Sequence, residues 1–218
     1  MSTTIPPARA ELYRKACRHL SRKCPVLKGL IKQVGPCTWA PVSDDPFTVL
    51  VRCVVYQQIS TKAAKSIFER LAAAAGGLPI PRDRLAALSD AEFAACGVSG
   101  PKRRALRAVA GHVAANPDLL PAVADLDEAE LRPRLTAITG VGPWTVDMFL
   151  MFAICKPDVL PVGDLGLRMG VRDVYGLKDL PTPAEVLARA EAWRPYRSVA
   201  TWYFWRSRGF VPQSGQGG

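Results

Sequence analysis

Histidine is nearly absent: His19 and His112 are the two in 218 residues, and neither has a ligand-type partner four residues on. This speaks against histidine-based catalysis or metal binding. The six cysteines, at 17, 24, 37, 53, 96 and 155, never form Cys-x-x-Cys, so neither a zinc site nor a disulfide framework is indicated. They read as reduced, mostly buried small hydrophobes. The opening Met-Ser-Thr-Thr-Ile-Pro-Pro-Ala-Arg-Ala lacks an apolar signal core, and no run approaches the length that spans a bilayer. A cytoplasmic protein without a membrane partner is expected. Acid is also in short supply, 19 Asp and Glu against 29 Lys and Arg, for a net charge of +10. Such an excess favours a polyanionic partner, nucleic acid first and an anionic membrane surface second. No β-type alternation, internal repeat or long linker is found.

Hydrophobic residues make up 49% and charged residues 22%, an ordinary globular profile, and the length allows one core or two small subdomains. Between Arg9 and Lys32 eight basic residues face one acid, Glu11, with Leu12, Ala16, His19 and Leu20 interleaved. This reads as an amphipathic basic helix and a following turn, either a solvated face or a phosphate-binding stripe. Asp45-Pro46 opens a helix whose stripe, Phe47, Leu50, Val51, Val54 and Val55, projects through to Gln58. A polar residue ending a buried stripe, in Tyr56-Gln-Gln-Ile-Ser60, marks a candidate site. Ser60 caps the next helix, which ends at Gly76-Gly77. Ser89-Asp-Ala-Glu92 and Thr182-Pro-Ala-Glu185 are capping boxes. Ser99-Gly-Pro-Lys-Arg-Arg104 opens a helix whose basic first turn opposes the helix dipole, which hints at a use elsewhere. Nine or ten short helices and a disordered tail over 213–218 complete an all-α reading.

One stretch organises the chain, Leu135-Thr-Ala-Ile-Thr-Gly-Val-Gly-Pro-Trp-Thr145, followed by Leu160-Pro-Val-Gly-Asp164. Leu131, Leu135 and Ile138 carry a helix into the turn, Gly140 and Gly142 make it, and Pro143 starts a second helix with Val146, Phe149 and Ala153 inward. An open helix N-terminus flanked by glycine is a phosphate site without sequence readout, although a capping glycine before a new helix has the same spacing.

The Gly-Val-Gly hairpin, the loop ending in Asp164, the Tyr-Gln-Gln-Ile-Ser segment and the Trp193-Arg-Pro-Tyr-Arg-Ser198 stretch together resemble the helix-hairpin-helix DNA glycosylases with a Gly/Pro-rich loop and catalytic Asp, in their alkylpurine (3-methyladenine) branch. The resemblance runs from about 46 to 210. It implies two helical subdomains with a DNA cleft between them, residues 46–163 forming the barrel-like bundle with the hairpin (about 131–155), and 1–45 with 164–218 forming the other. A compact, monomeric version without the β-rich domain of larger members is expected.

The chemistry can be argued beside the resemblance. Breaking an N-glycosidic bond leaves positive charge on the sugar, and an ionised carboxylate is its natural stabiliser. Asp164, at the start of a helix, fits, and in the family the matching Asp also orients or activates water. It would equally serve as a plain N-cap. Where bifunctional relatives carry a Schiff-base Lys this chain has Trp144, so a monofunctional enzyme is expected. The iron–sulfur cysteines of other relatives are missing, and no such cofactor is expected. Trp144 and Trp205 match base-pocket positions, with Trp202 and Tyr203 nearby. Met148 stands where Tyr is common, which favours charged lesions over neutral ones. Gln58 matches the residue that fills the gap left by the flipped nucleotide. Gly140, Val141 and Gly142 would meet a phosphate of damaged double-stranded DNA, with Thr145 assisting. In relatives the carbonyls of Thr136, Ile138 and Val141 hold a monovalent cation, Na+ or K+, that bridges to it. Two rival readings stay open: a glycosylase for an oxidised or deaminated base, and a non-catalytic DNA binder.

Overall fold

A computed structural model describes residues 5–210; the tail expected over 213–218 lies outside them. The described residues form twelve α-helices, two short 3-10 helices and no strand, so the all-α reading holds. They are α1 (Pro7–Lys23), α2 (Pro25–Val34), α3 (Pro46–Val55), α4 (Thr61–Ala74), α5 (Arg82–Ala87), α6 (Asp90–Ala95), α7 (Gly100–Ala115), α8 (Glu128–Thr136), α9 (Pro143–Ala153), α10 (Leu165–Tyr175), α11 (Pro183–Ala190) and α12 (Arg197–Ser207). The chain exceeds the expected nine or ten helices where signals were thin. Pro25 restarts a helix in place of the turn expected after α1, and α5 is six residues, too short to show a period.

The chain divides into two compact units, one with described residues 5–41 and 155–210, the other Val42–Ile154. In the first, α12 is the central element. Ser198 through Trp205 are all buried, as expected for a helix covered on every side, and α12 packs on α10, α2 and α1. The α10 crossing is close because of Gly170, where a Cβ would lie 2.7 Å from the Phe204 carbonyl oxygen. α1 buries Tyr13, Ala16 and Leu20 and leaves its charged face outside, and the Tyr13 hydroxyl donates to the Trp39 carbonyl at 2.6 Å.

Residues 155–163 belong to this first unit, whereas the expected bundle of 46–163 had included them. The reason is a clasp built by the start of α12. The Ser198 hydroxyl donates to the Lys156 carbonyl (2.6 Å) and accepts from the Val159 N–H (2.8 Å). The Ser198 N–H donates to the Pro157 carbonyl (3.0 Å), and Arg197 forks onto the Asp158 carboxylate at 2.8 and 3.0 Å. The other boundary falls at 41/42 because the Val42 N–H bonds the Phe152 carbonyl at 3.0 Å.

In the second unit α3 and α9 form the core. α3 buries eight of its ten residues and α9 eight of eleven, and they pack on each other while α7 covers α3. The stripe of α3 does not reach Gln58. The helix stops at Val55, whose carbonyl accepts from Lys102 Nζ at 2.6 Å. Gln58 sits in the following turn with φ +54°. Two residues of the basic first turn of α7 thus have internal uses: Lys102 caps α3, and Arg103 pairs with Asp90 at 3.1 Å, which Arg107 one turn further on also reaches at 2.7 Å. Burial lowers the Lys102 pKa from its ordinary value.

Candidate functional site

In the second unit, α8 leads into a turn that delivers α9. Leu131, Leu135, Ile138 and Val141 are buried and anchor it. Gly140 has φ +85°, and a Cβ there would lie 2.4 Å from that of Ala105 on α7, so both backbone and packing demand glycine. Gly142 differs. It is the N-cap of α9 with extended dihedrals, and among the described residues nothing beyond its chain neighbours lies within 4 Å of where its Cβ would be. Among the described residues no side chain caps α9, and Pro143 takes its first position.

A residue that sequence reasoning missed holds this turn. Gln57 Nε2 donates to the Gly140 carbonyl (2.9 Å) and to Thr145 Oγ1 (2.8 Å), tying the 56–60 turn to the hairpin. The Gln-Gln pair was the signal, and the projected helix phase picked its second member, Gln58, which is exposed at the tip beside Ile59. Thr145, expected to assist at a phosphate, is 2% exposed. Its hydroxyl faces Gln57, so it braces the hairpin from inside. Trp144 is half-exposed at the start of α9 and Met148 is buried one turn on. The hairpin helices are also locked by Arg132 of α8, 2.8 Å from the buried Asp147 carboxylate of α9.

For the cation implied by the resemblance, the donors would be backbone carbonyls alone, a set that suits a weakly held monovalent ion. The Ile138 carbonyl also accepts the Val141 N–H at 3.0 Å. Among the described residues no cluster of three or more His, Cys, Asp or Glu could hold a metal.

In the first unit, Leu160 to Asp164 turns tightly, with the Asp164 N–H donating to the Pro161 carbonyl at 2.8 Å. Asp164 is the N-cap of α10, and its Oδ1 accepts the Leu167 N–H at 2.7 Å. The same oxygen accepts Trp205 Nε1–H at 2.8 Å. Gly166 leaves room for this bond, since a Cβ there would press on both partners, at 3.1 Å from Asp164 Oδ1 and 3.4 Å from the Trp205 ring. No sequence signal pointed to Gly166 beyond a glycine within a helix.

Trp205, expected as a pocket aromatic, is buried and spends its N–H on Asp164. Tyr203 requires a correction: it is fully buried and its hydroxyl donates to the Gly35 carbonyl at 2.9 Å, which makes it a core residue rather than a base contact. Burial raises its pKa above the ordinary phenol range. Trp202 packs edge-on against Tyr203 at 4.9 Å and is likewise buried.

A helix–glycine hairpin–helix unit, followed by a Pro/Gly-rich loop that ends in a helix-capping Asp, defines a class of base-excision repair proteins. Residues 51–195 match the HhH-GPD superfamily base excision DNA repair protein, and the chain belongs to that family. Among its relatives is DNA-3-methyladenine glycosylase 1 of Schizosaccharomyces pombe, 36% identical over 205 residues that cover 88% of this chain and 86% of that protein. The solved structure of the S. pombe 3-methyladenine DNA glycosylase in complex with abasic DNA superposes with a TM-score of 0.83 at 32% identity, covering 92% of this chain and all of that one. A DNA-3-methyladenine glycosidase from Bacillus halodurans gives 0.72 at 31% identity, covering 96% and 92%.

Proposed function

We propose that the protein is a monofunctional DNA glycosylase that hydrolyses the N-glycosidic bond of alkylated purines, such as 3-methyladenine, in duplex DNA. The observation that carries this reading is the Asp164 carboxylate, held through Oδ1 by the first turn of α10 and by the Trp205 indole. A carboxylate fixed by two N–H donors needs no reorganisation when charge develops opposite it. As the C1′–N bond breaks, the bonding pair leaves with the base and positive charge spreads over the sugar ring. Asp164 stabilises that charge, and water adds to C1′ as its proton passes to the carboxylate or solvent, leaving an abasic site.

The hairpin supplies grip rather than chemistry. Among the described residues neither backbone angle nor packing requires glycine at 142, and the open space above it at the N-terminus of α9, which no side chain caps, suits a phosphate oxygen. The carbonyls of Thr136, Ile138 and Val141 would hold a monovalent cation that adds positive charge at the same phosphate. Gln58, projecting from an exposed turn, fills the gap left when the target nucleotide is extruded. Trp144 offers an aromatic face to a cationic alkylpurine and has no amine for a Schiff base.

The N-cap bond of Asp164 also favours a second reading, a DNA binder in which this residue is structural only. Asp164→Asn keeps an oxygen acceptor and removes the charge. Chromatography of bases released from methylated and deaminated DNA should show 3-methyladenine released by the native protein and release about 10²–10³-fold slower in the variant. Undiminished release by a folded variant refutes the catalytic role, and borohydride trapping of a protein–DNA adduct would contradict monofunctionality.

A further inference from the structure

The excess charge of the protein is concentrated in two helices that take no part in the chemistry above. Residues 1–34 hold eight Lys and Arg against one acid, Glu11, and so account for +7 of the net +10, leaving +3 for all the rest. Among the described residues only Arg14 and Arg18 of this set reach a carboxylate, both that of Glu11, at 2.6 and 3.8 Å. Arg14, Arg18 and Arg22 follow one another at four-residue spacing, which sets like charges side by side along one helix face, with Glu11 the one acid beside them.

Two shallow, open depressions lie on the charged face. Lys15, Arg18, His19 and Arg22 with Tyr196 line an open depression of about 350 Å³. Arg18 and Arg22 are shared with a second, of about 440 Å³, completed by Cys17, Ser21 and Lys28. Among the described residues the buried His19 Nε2 has no hydrogen-bond partner, and its ring meets that of Tyr196 edge-on at 5.4 Å. From Lys15 to Arg22 the helix rises about 10 Å, over which duplex DNA presents roughly six phosphate charges.

We propose that this face of α1 and α2 is a second binding site for the phosphodiester backbone of duplex DNA, separate from the hairpin and without sequence preference. The proposal rests on DNA being the partner, as in the function proposed above. Two phosphates paired with Lys15 and Arg22 would contribute about 1.8 to the slope of log K against log salt.

The test compares Lys15→Gln/Arg22→Gln with an equal-charge control, Arg84→Gln/Lys178→Gln, two exposed positions elsewhere on the chain. Salt-dependent binding to an undamaged 20-base-pair duplex should flatten by about two in the first variant and stay at the native slope in the control. Single-turnover base release at saturating protein should stay within twofold of native in both. Equal slopes for the first variant and native protein overturn the proposal, as does equal flattening in the control, which would reduce the effect to net charge. Vesicles of anionic phospholipid form a third arm: binding lost with Lys15 and Arg22, with duplex slopes unchanged, would assign the face to a membrane surface. If the native protein releases no base yet the slopes differ as stated, the glycosylase reading fails and this site stands.

Discussion

Gly140 and Gly142 look interchangeable in the sequence, yet they are glycine for opposite reasons. At 140 the left-handed backbone and the 2.4 Å approach to Ala105 exclude a side chain. At 142 the protein leaves room for one. Gly140→Ala should lower stability by about 2–4 kcal/mol, whereas Gly142→Ala should unfold within about 0.5 kcal/mol of native and bind duplex DNA at least tenfold more weakly. Denaturant titration and DNA binding on both variants check this, and equal stability loss at both positions would contradict it. Trp205 poses a similar choice. Its hydrogen bond to a carboxylate is worth about 1.5–3 kcal/mol, so Trp205→Phe should slow base release roughly 10–100-fold. In the Asp164→Asn background the same change should have little further effect, because Trp205 acts through the charge that is already gone. Additive losses would return Trp205 to the role of an independent base contact. The sequence made Asp164 and the two glycines legible through their motifs. It concealed Gly166 and the Trp205 bond, because contacts across 41 residues leave no local pattern.

At the level of elements, capping chemistry was the most readable feature. The boxes at Ser89–Glu92 and Thr182–Glu185 both close reciprocally, and Asp45 and Ser60 cap α3 and α4. Where a helix stops was harder to read. The apolar run of α3 continues in phase, but Lys102 takes the Val55 carbonyl and the chain turns three residues before Gln58. A partly buried ion pair, Arg132 with Asp147, joins the hairpin helices, and Arg132 also bonds Glu128 at 2.6 Å. Asp147→Ala should therefore cost about 1.5–3 kcal/mol and lower Tm by roughly 3–10 °C. Calorimetry measures it, and an unchanged Tm would show that packing alone sets the angle between α8 and α9.

For the whole molecule, the all-α class was within reach of the sequence, while the grouping of residues 155–163 with 5–41 and 164–210 was not. It is decided by Ser198 and Arg197, which grip that loop from some forty residues away. Cysteine chemistry follows the same division between surface and core. Burial pushes the Cys53 thiol up to about 12 and that of Cys155 up to about 11, whereas Cys17 is the one thiol among the six that is not fully buried. Brief alkylation of the folded protein at pH 8, read by mass spectrometry, should modify Cys17 first and leave Cys53 and Cys155 unmodified until the chain unfolds. Early modification of Cys53 would mean that the second unit opens readily.

The turn at Gln58 holds a long side chain in a backbone conformation that favours glycine. Glycine there would relieve about 0.5–1 kcal/mol while deleting the group proposed to enter the duplex. Directed evolution for heat resistance alone would accordingly drift towards glycine at this position and away from repair, so a selection scheme for a hardier protein has to score base release in every round.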